Sequence, residues 1–188
     1  PCGYKDNILL ATRLGKAIRF DVHDVRVFVG RGSSGVRGIR LKPNDFVVSM
    51  SLIPNLEKRF ILSVTENGFG KRTPVEDYRM TNRGGQGVAN IECSTRNGPV
   101  VASYVASEDD QIMLVTNSGK LIRIRVHGGE GDSIRVAGRK TQGVRLFDVD
   151  EGEKVVSVAL LSESDDEQDE ENTELVLENK ENGNEMKN

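Results

Sequence analysis

The string Gly30-Arg31-Gly32-Ser33-Ser34-Gly35 has the Gly-x-Gly-x-x-Gly spacing of a loop that cradles a dinucleotide pyrophosphate. That chemistry needs a strand before the glycines and a helix after them, whose N-terminal N–H groups meet the phosphates. Here the string runs into Val36-Arg37-Gly38-Ile39-Arg40-Leu41, which reads as another strand. Without the helix, the loop is expected to be a flexible connection with Arg31 and Arg37 beside open backbone N–H groups, suited to a passing phosphate. His23 and His127 have no second His, Cys or ligand-spaced carboxylate near them in sequence, and they read as surface or turn residues. Cys93 lies in the strand-like Ile91-Glu92-Cys93-Ser94 with no histidine nearby, so a nucleophilic role is not expected.

The remaining chemistry is electrostatic. Ser162 to Asn188 holds eleven acidic residues and two lysines, a net −9, which leaves the rest of the chain at +6. A basic body joined to an acidic tail points to nucleic acid as partner. The basic candidates are Arg31, Arg37, Arg40, Lys71, Arg72, Arg83, Arg123, Arg125, Arg139, Lys140 and Arg145. Lysine and arginine contacts to phosphates release counterions and give affinity that does not depend on base sequence. Only nine aromatic residues are present, without the interleaving of a single-strand stacking platform, so Phe20, Phe46, Phe60 and Phe147 are expected in the core.

The elements that must position these cations repeat. Ile8–Lys16 is echoed at Phe60–Gly68 and Ile112–Lys120, with turn glycines at 15, 68 and 119, intervals of 53 and 51 residues. Each copy carries a second landmark, Gly35-Val36-Arg37-Gly38-Ile39, Gly87-Val88-Ala89-Asn90-Ile91 and Gly143-Val144-Arg145-Leu146-Phe147. A valine pair follows: Val47-Val48, Val100-Val101 and Val155-Val156. Short β-branched runs between turn signals read as strands. In Leu121-Ile122-Arg123-Ile124-Arg125-Val126 the alternation puts Ile122, Ile124 and Val126 on a packed face, opposite the arginines. The fold class is therefore all-β: about three four-stranded, propeller-like repeats over 8–53, 60–107 and 112–161, forming one unit over 1–161. The tail 162–188 is too polar to offset its ordering entropy and is expected to be disordered. Three repeats do not close a ring, and the chain opens on Pro1, so a fragment of a longer polypeptide is expected. Two cysteines do not make a disulfide framework; reduced thiols and a cytoplasmic setting are expected. No apolar run approaches the ~18 residues of a membrane span.

On these residues the chain resembles the C-terminal domain of the bacterial DNA gyrase A subunit. The match is carried by Ile18-Arg19-Phe20, Gly35-Val36-Arg37-Gly38-Ile39-Arg40-Leu41 and Asn67-Gly68-Phe69-Gly70-Lys71-Arg72-Thr73. It continues through Arg96-Asn97-Gly98, Asp110-Gln111-Ile112-Met113 and Gly138-Arg139-Lys140-Thr141-Gln142-Gly143-Val144, spanning residues 8 to 161. The resemblance implies a β-pinwheel of about six blades, of which this chain would supply the last three. It also implies a rim that binds and wraps duplex DNA for an ATP-dependent type II topoisomerase that introduces negative supercoils. The partners would be duplex DNA, the rest of the gyrase A polypeptide and the gyrase B polypeptide, with no membrane. ATP and magnesium would act elsewhere in the holoenzyme, and no cofactor is expected in this chain.

Two departures qualify the resemblance. The family's wrapping heptapeptide, Gln-Arg-Arg-Gly-Gly-Lys-Gly, is not found; Asn82-Arg83-Gly84-Gly85-Gln86-Gly87 reads as a degenerate copy of that loop. The catalytic tyrosine belongs to another domain, so Tyr4, Tyr78 and Tyr104 do not inherit its role. Two alternatives remain: the equivalent domain of topoisomerase IV, and a propeller-type protein-interaction scaffold.

Overall fold

A computed structural model describes residues 2–54, 59–128 and 133–161. Three antiparallel sheets form. The first comprises β1 (Asn7–Thr12), β2 (Lys16–Asp21), β3 (Val47–Ile53) and β6 (Val88–Ala89), in the order β3-β1-β2-β6. The second comprises β4 (Phe60–Thr65), β5 (Phe69–Pro74), β7 (Val100–Ala106) and β10 (Val144–Arg145), in the order β10-β5-β4-β7. The third holds β8 (Gln111–Thr116), β9 (Leu121–Arg125) and β11 (Val155–Leu161), in the order β11-β8-β9. Short 3-10 turns at Val22–Asp24 and Val75–Asp77 follow β2 and β5, and the described residues contain no α-helix.

Each sheet is built around the same hairpin. The loop Arg13-Leu14-Gly15 closes with Gly15 N–H donating to Thr12 O at 3.1 Å, and Gly15 sits at φ 78°. Gly68 and Gly119 repeat this at φ 76° and 86°. Three-residue hairpin loops need such a left-handed residue, and glycine adopts it at no steric cost. The valine pairs also have a structural reason. Thr12 pairs with Val47 and Ala11 with Ser49, so Val48 is the extra residue of a β-bulge; Val101 and Val156 are skipped in the same way. The bulge adds local twist, and it recurs in each sheet.

The second landmark does not stay in its own sheet. Val88 pairs with Ala17 of the first sheet, and Val144 pairs with Gly70 of the second. Each of these later repeats thus lays an excursion across the outer edge of the preceding sheet. Backbone contacts at Thr81 N–H to Arg19 O (2.9 Å) and Ala137 N–H to Arg72 O (2.8 Å) begin the docking. The strand expected at 36–41 is absent. The described residues offer it no earlier sheet edge, and its backbone instead meets the next excursion, with Arg40 N–H on Gly85 O at 2.8 Å.

The apolar faces pack between sheets. Leu9, Ala11, Ala17 and Ile53 meet Ile61, Val75 and Tyr78; Leu62 and Val64 share a cluster with Ile112, Leu114, Val126 and Val158. Burying each of the larger side chains contributes about 1.5–3 kcal/mol. Ile122 and Ile124 pack on this cluster while Arg123 and Arg125 stay exposed, as the alternation in β9 requires. Phe20 is core and Phe60 and Phe147 are half-buried, but Phe46 is exposed, under the Arg13 guanidinium at 5.5 Å. It immediately precedes β3, where its carbonyl accepts from Arg13 N–H at 2.9 Å and its ring stays half in solvent.

A buried polar cluster fastens the second excursion. Tyr78 OH donates to Asn90 Oδ1 at 2.6 Å, and Ser63 Oγ approaches the same oxygen at 3.2 Å. Asn90 Nδ2 donates to Ser103 Oγ at 2.9 Å, and Ser49 Oγ donates to Ser103 O at 2.8 Å. Residues of the first sheet, the second sheet and the excursion thereby satisfy one another out of water.

Candidate nucleic-acid interface

Strands β3, β7 and β11 pack side by side across the three sheets and form the inner part of the arc. The opposite, outer part is made of β2, β5 and β9 with the excursions docked on the first two. Consecutive excursions also touch each other. Arg83 donates through Nε to Asp24 O (2.7 Å) and through a terminal nitrogen to Arg37 O (3.0 Å), while Arg40 N–H reaches Gly85 O. Farther along, Arg139 donates to Ala89 O at 3.0 Å, Glu92 N–H to Thr141 O at 3.0 Å and Asn97 Nδ2 to Gln142 O at 3.0 Å. An unbroken outer band results, from 37–40 through 83–92 to 138–145.

The structure sorts the eleven sequence candidates into three groups. Arg31, Arg37, Arg40, Arg123, Arg125, Lys140 and Arg145 are exposed. Within that group, Arg123 is held by Gln111 Oε1 at 2.7 Å, and Arg145 pairs with Asp148. Arg83 and Arg139 are half-buried; they fasten loops of the band, and Arg139 also lies 6.0 Å from the Tyr78 ring. Lys71 and Arg72 are interior and cannot serve as surface contacts. Lys71 Nζ donates to Gly138 O at 2.5 Å, and Arg72 Nε to Ile134 O at 2.6 Å, with Glu108 3.7 Å from a terminal nitrogen and the Phe60 ring beneath. The third excursion covers β5, so a strand that would otherwise present cations to solvent is buried on both faces. The Gly30–Gly35 loop is exposed, and no helix follows it.

Sequence reading passes over Arg26, Arg79 and Arg135, all exposed. The signal is available in the repeat: Val25-Arg26-Val27, Tyr78-Arg79-Met80 and Ile134-Arg135-Val136 occupy equivalent places.

Burial, reinforced by the positive charge of Arg139 and opposed by Asp77, pushes the Lys71 ammonium down to about 8 from an ordinary 10.5. The folded chain therefore sheds this proton at a lower pH than the unfolded chain, and stability rises through that window. Between pH 7.5 and 9.5 the wild type is expected to gain on the order of 2 kcal/mol relative to Lys71→Met. Urea unfolding of both chains at the two pH values checks it; parallel behaviour would contradict it.

The other reactive groups are occupied or remote. His23 Nδ1 lies 2.7 Å from Asp21 Oδ1, and His127 Nδ1 lies 2.7 Å from Ser133 Oγ. The described residues bring no three His, Cys, Asp or Glu side chains together as a metal site. Cys2 is exposed and Cys93 half-buried, neither in a disulfide, and burial pushes the Cys93 thiol up. Tyr4 is exposed, Tyr78 belongs to the buried cluster, and Tyr104 OH donates to Val158 O at 2.8 Å. Among the described residues no helix is long and apolar enough to cross a membrane.

Repeated four-stranded sheets that exchange an outer strand, with cations along that outer edge, define a β-pinwheel of the propeller class. The chain belongs to the family described as DNA gyrase C-terminal domain, beta-propeller, whose model matches residues 6–54, 59–98 and 110–162. It is 39% identical over 216 aligned positions to the DNA gyrase A subunit of Rickettsia bellii, covering 90% of this chain and 23% of that protein. It is 40% identical over 161 positions to the DNA gyrase A subunit of Staphylococcus epidermidis, covering 86% of this chain and 17% of that protein. The chain thus spans about a quarter or less of those relatives. Among solved structures it resembles a DNA gyrase A C-terminal domain with TM-score 0.73 and 28% identity, covering 85% of this chain and 52% of that one. It also resembles the C-terminal domain of a DNA topoisomerase IV, with TM-score 0.75 and 29% identity, covering 85% and 47%.

Proposed function

We propose that this chain grips and bends duplex DNA along its outer band, as part of a gyrase A polypeptide. The observation that carries the reading is the physical continuity of the band: loops of successive repeats hydrogen-bond to each other and carry Arg31, Arg37, Arg40, Arg83, Arg139, Lys140 and Arg145, with Arg123 and Arg125 on the last sheet. A curved row of cations fits phosphates of a bent duplex and needs no base readout. Family membership and the curated relatives favour a gyrase over a topoisomerase IV or a DNA-free scaffold.

In this reading the chain supplies geometry and charge, in the cytoplasm. The remainder of the gyrase A polypeptide, together with gyrase B, supplies strand passage, ATP hydrolysis and magnesium, and the bent segment is presented so that passage introduces negative supercoils. The −9 segment at 162–188 lies outside the described residues. Joined covalently to the same chain, and so at high effective concentration, it competes with DNA for the cations. Sealing a nicked circle with ligase in the presence of the chain tests the bending. A topoisomer distribution displaced after protein removal supports it, and an unchanged distribution at saturating protein counts against it.

A further inference from the structure

The three excursions carry unequal charge. Residues 22–40 hold four cations against one aspartate, and residues 126–148 hold four cations against Glu130, Asp132 and Asp148. The middle excursion, 75–92, holds only Arg79 and Arg83, against Glu76, Asp77 and Glu92. A duplex following the outer band crosses its weakest stretch there.

Of those two cations, Arg83 is committed. Its guanidinium ties the carbonyls of Asp24 and Arg37 and is half-buried in doing so. Arg79 is exposed, and its guanidinium has no hydrogen bond or ion pair among the described residues. Its backbone, however, is fixed. Tyr78 beside it is 1% exposed and anchored on Asn90, and Met80 bridges in parallel to Arg19 of the first sheet. Arg135 repeats the arrangement one sheet on: Ile134 is 3% exposed, Val136 bridges to Arg72, and the Arg135 guanidinium is likewise unengaged among the described residues. Arg26 is the equivalent in the first excursion, lying 4.5 Å over the Phe28 ring.

We infer that Arg79 and Arg135 form a second phosphate-contact row beside the loop cations, and that Arg79 is the contact that carries DNA across the middle repeat. The inference rests on the DNA-band reading. An exposed cation on a backbone held by buried neighbours keeps its reach toward a phosphate while ordering little chain, which is what an electrostatic contact needs. Arg135 shares its excursion with the exposed Lys140 and Arg145, whereas Arg79 has no exposed cation beside it on its own excursion.

The test uses the full chain and a long linear duplex at several salt concentrations, with unfolding midpoints measured in parallel. Arg79→Ala is expected to weaken binding about tenfold at low salt and to lower the magnitude of the log–log salt slope by about 1. Arg79→Lys is expected to restore most of both, because a phosphate accepts a point charge. Arg135→Ala is expected to lose less. If the wild type binds with a steep slope and Arg79→Ala binds equally well with an unchanged midpoint, the row is wrong and the DNA band stands. If the wild type itself does not bind, the band and the row fall together.

Discussion

Replacing Asn90 with leucine is expected to lower the unfolding free energy by about 3 kcal/mol, among the larger effects a single substitution produces. Asn90 is fully buried and satisfies Tyr78 OH, Ser63 Oγ and Ser103 Oγ together. Leucine would fit the volume but leave the Tyr78 and Ser63 hydroxyls without their shared acceptor. Ser63 keeps the Ser103 hydroxyl at 2.9 Å, but the buried Tyr78 hydroxyl loses its Asn90 acceptor, and that costs more than the bond itself contributed. Because the cluster fastens the second excursion to both neighbouring sheets, the variant should also expose the 78–92 segment to hydrogen exchange. Denaturant unfolding gives the energy; a midpoint equal to the wild type would show that the excursion is held by its strand pairing alone.

The second large effect concerns charge. Converting Arg37, Arg40, Lys140 and Arg145 to glutamine removes four exposed cations from both ends of the band. At about 50 mM salt the variant is expected to bind duplex DNA on the order of a hundredfold or more weakly, since each lost phosphate contact forfeits its counterion release. The substitutions sacrifice the pairing of Arg145 with the exposed Asp148 and its position 5.6 Å over the Phe69 ring, and contacts of exposed cations contribute little stability. The unfolding midpoint should therefore hold. Equal affinity in a mobility-shift titration would remove these residues from the interface.

What the sequence disclosed and what it concealed divide along the range of the interaction. The hairpin glycines and the valine pairs are local: Gly15, Gly68 and Gly119 answer a backbone requirement within four residues, and each bulge lies in one strand of a local sheet. The pattern in β9 was readable because only one of its faces is packed. β5 was not, because Lys71 and Arg72 look like surface cations until the third excursion lies over them, and that pairing spans more than 60 residues. The same exchange explains why 36–41 reads as a strand and is none, since strand character there depends on an edge supplied by another sheet. Arg79 and Arg135 stayed hidden in apolar triplets. Only the docking shows that Tyr78 and Ile134 turn inward and leave the arginines exposed.

The most direct measurement of the central claim is a salt titration of binding to a long linear duplex, comparing the full chain with one ending at Leu161. The expected result is a log–log slope steeper than about −4, with the shorter chain binding more tightly as the competing −9 segment is lost. Weak binding by both chains at low salt, or a slope near zero, would contradict the phosphate-gripping band.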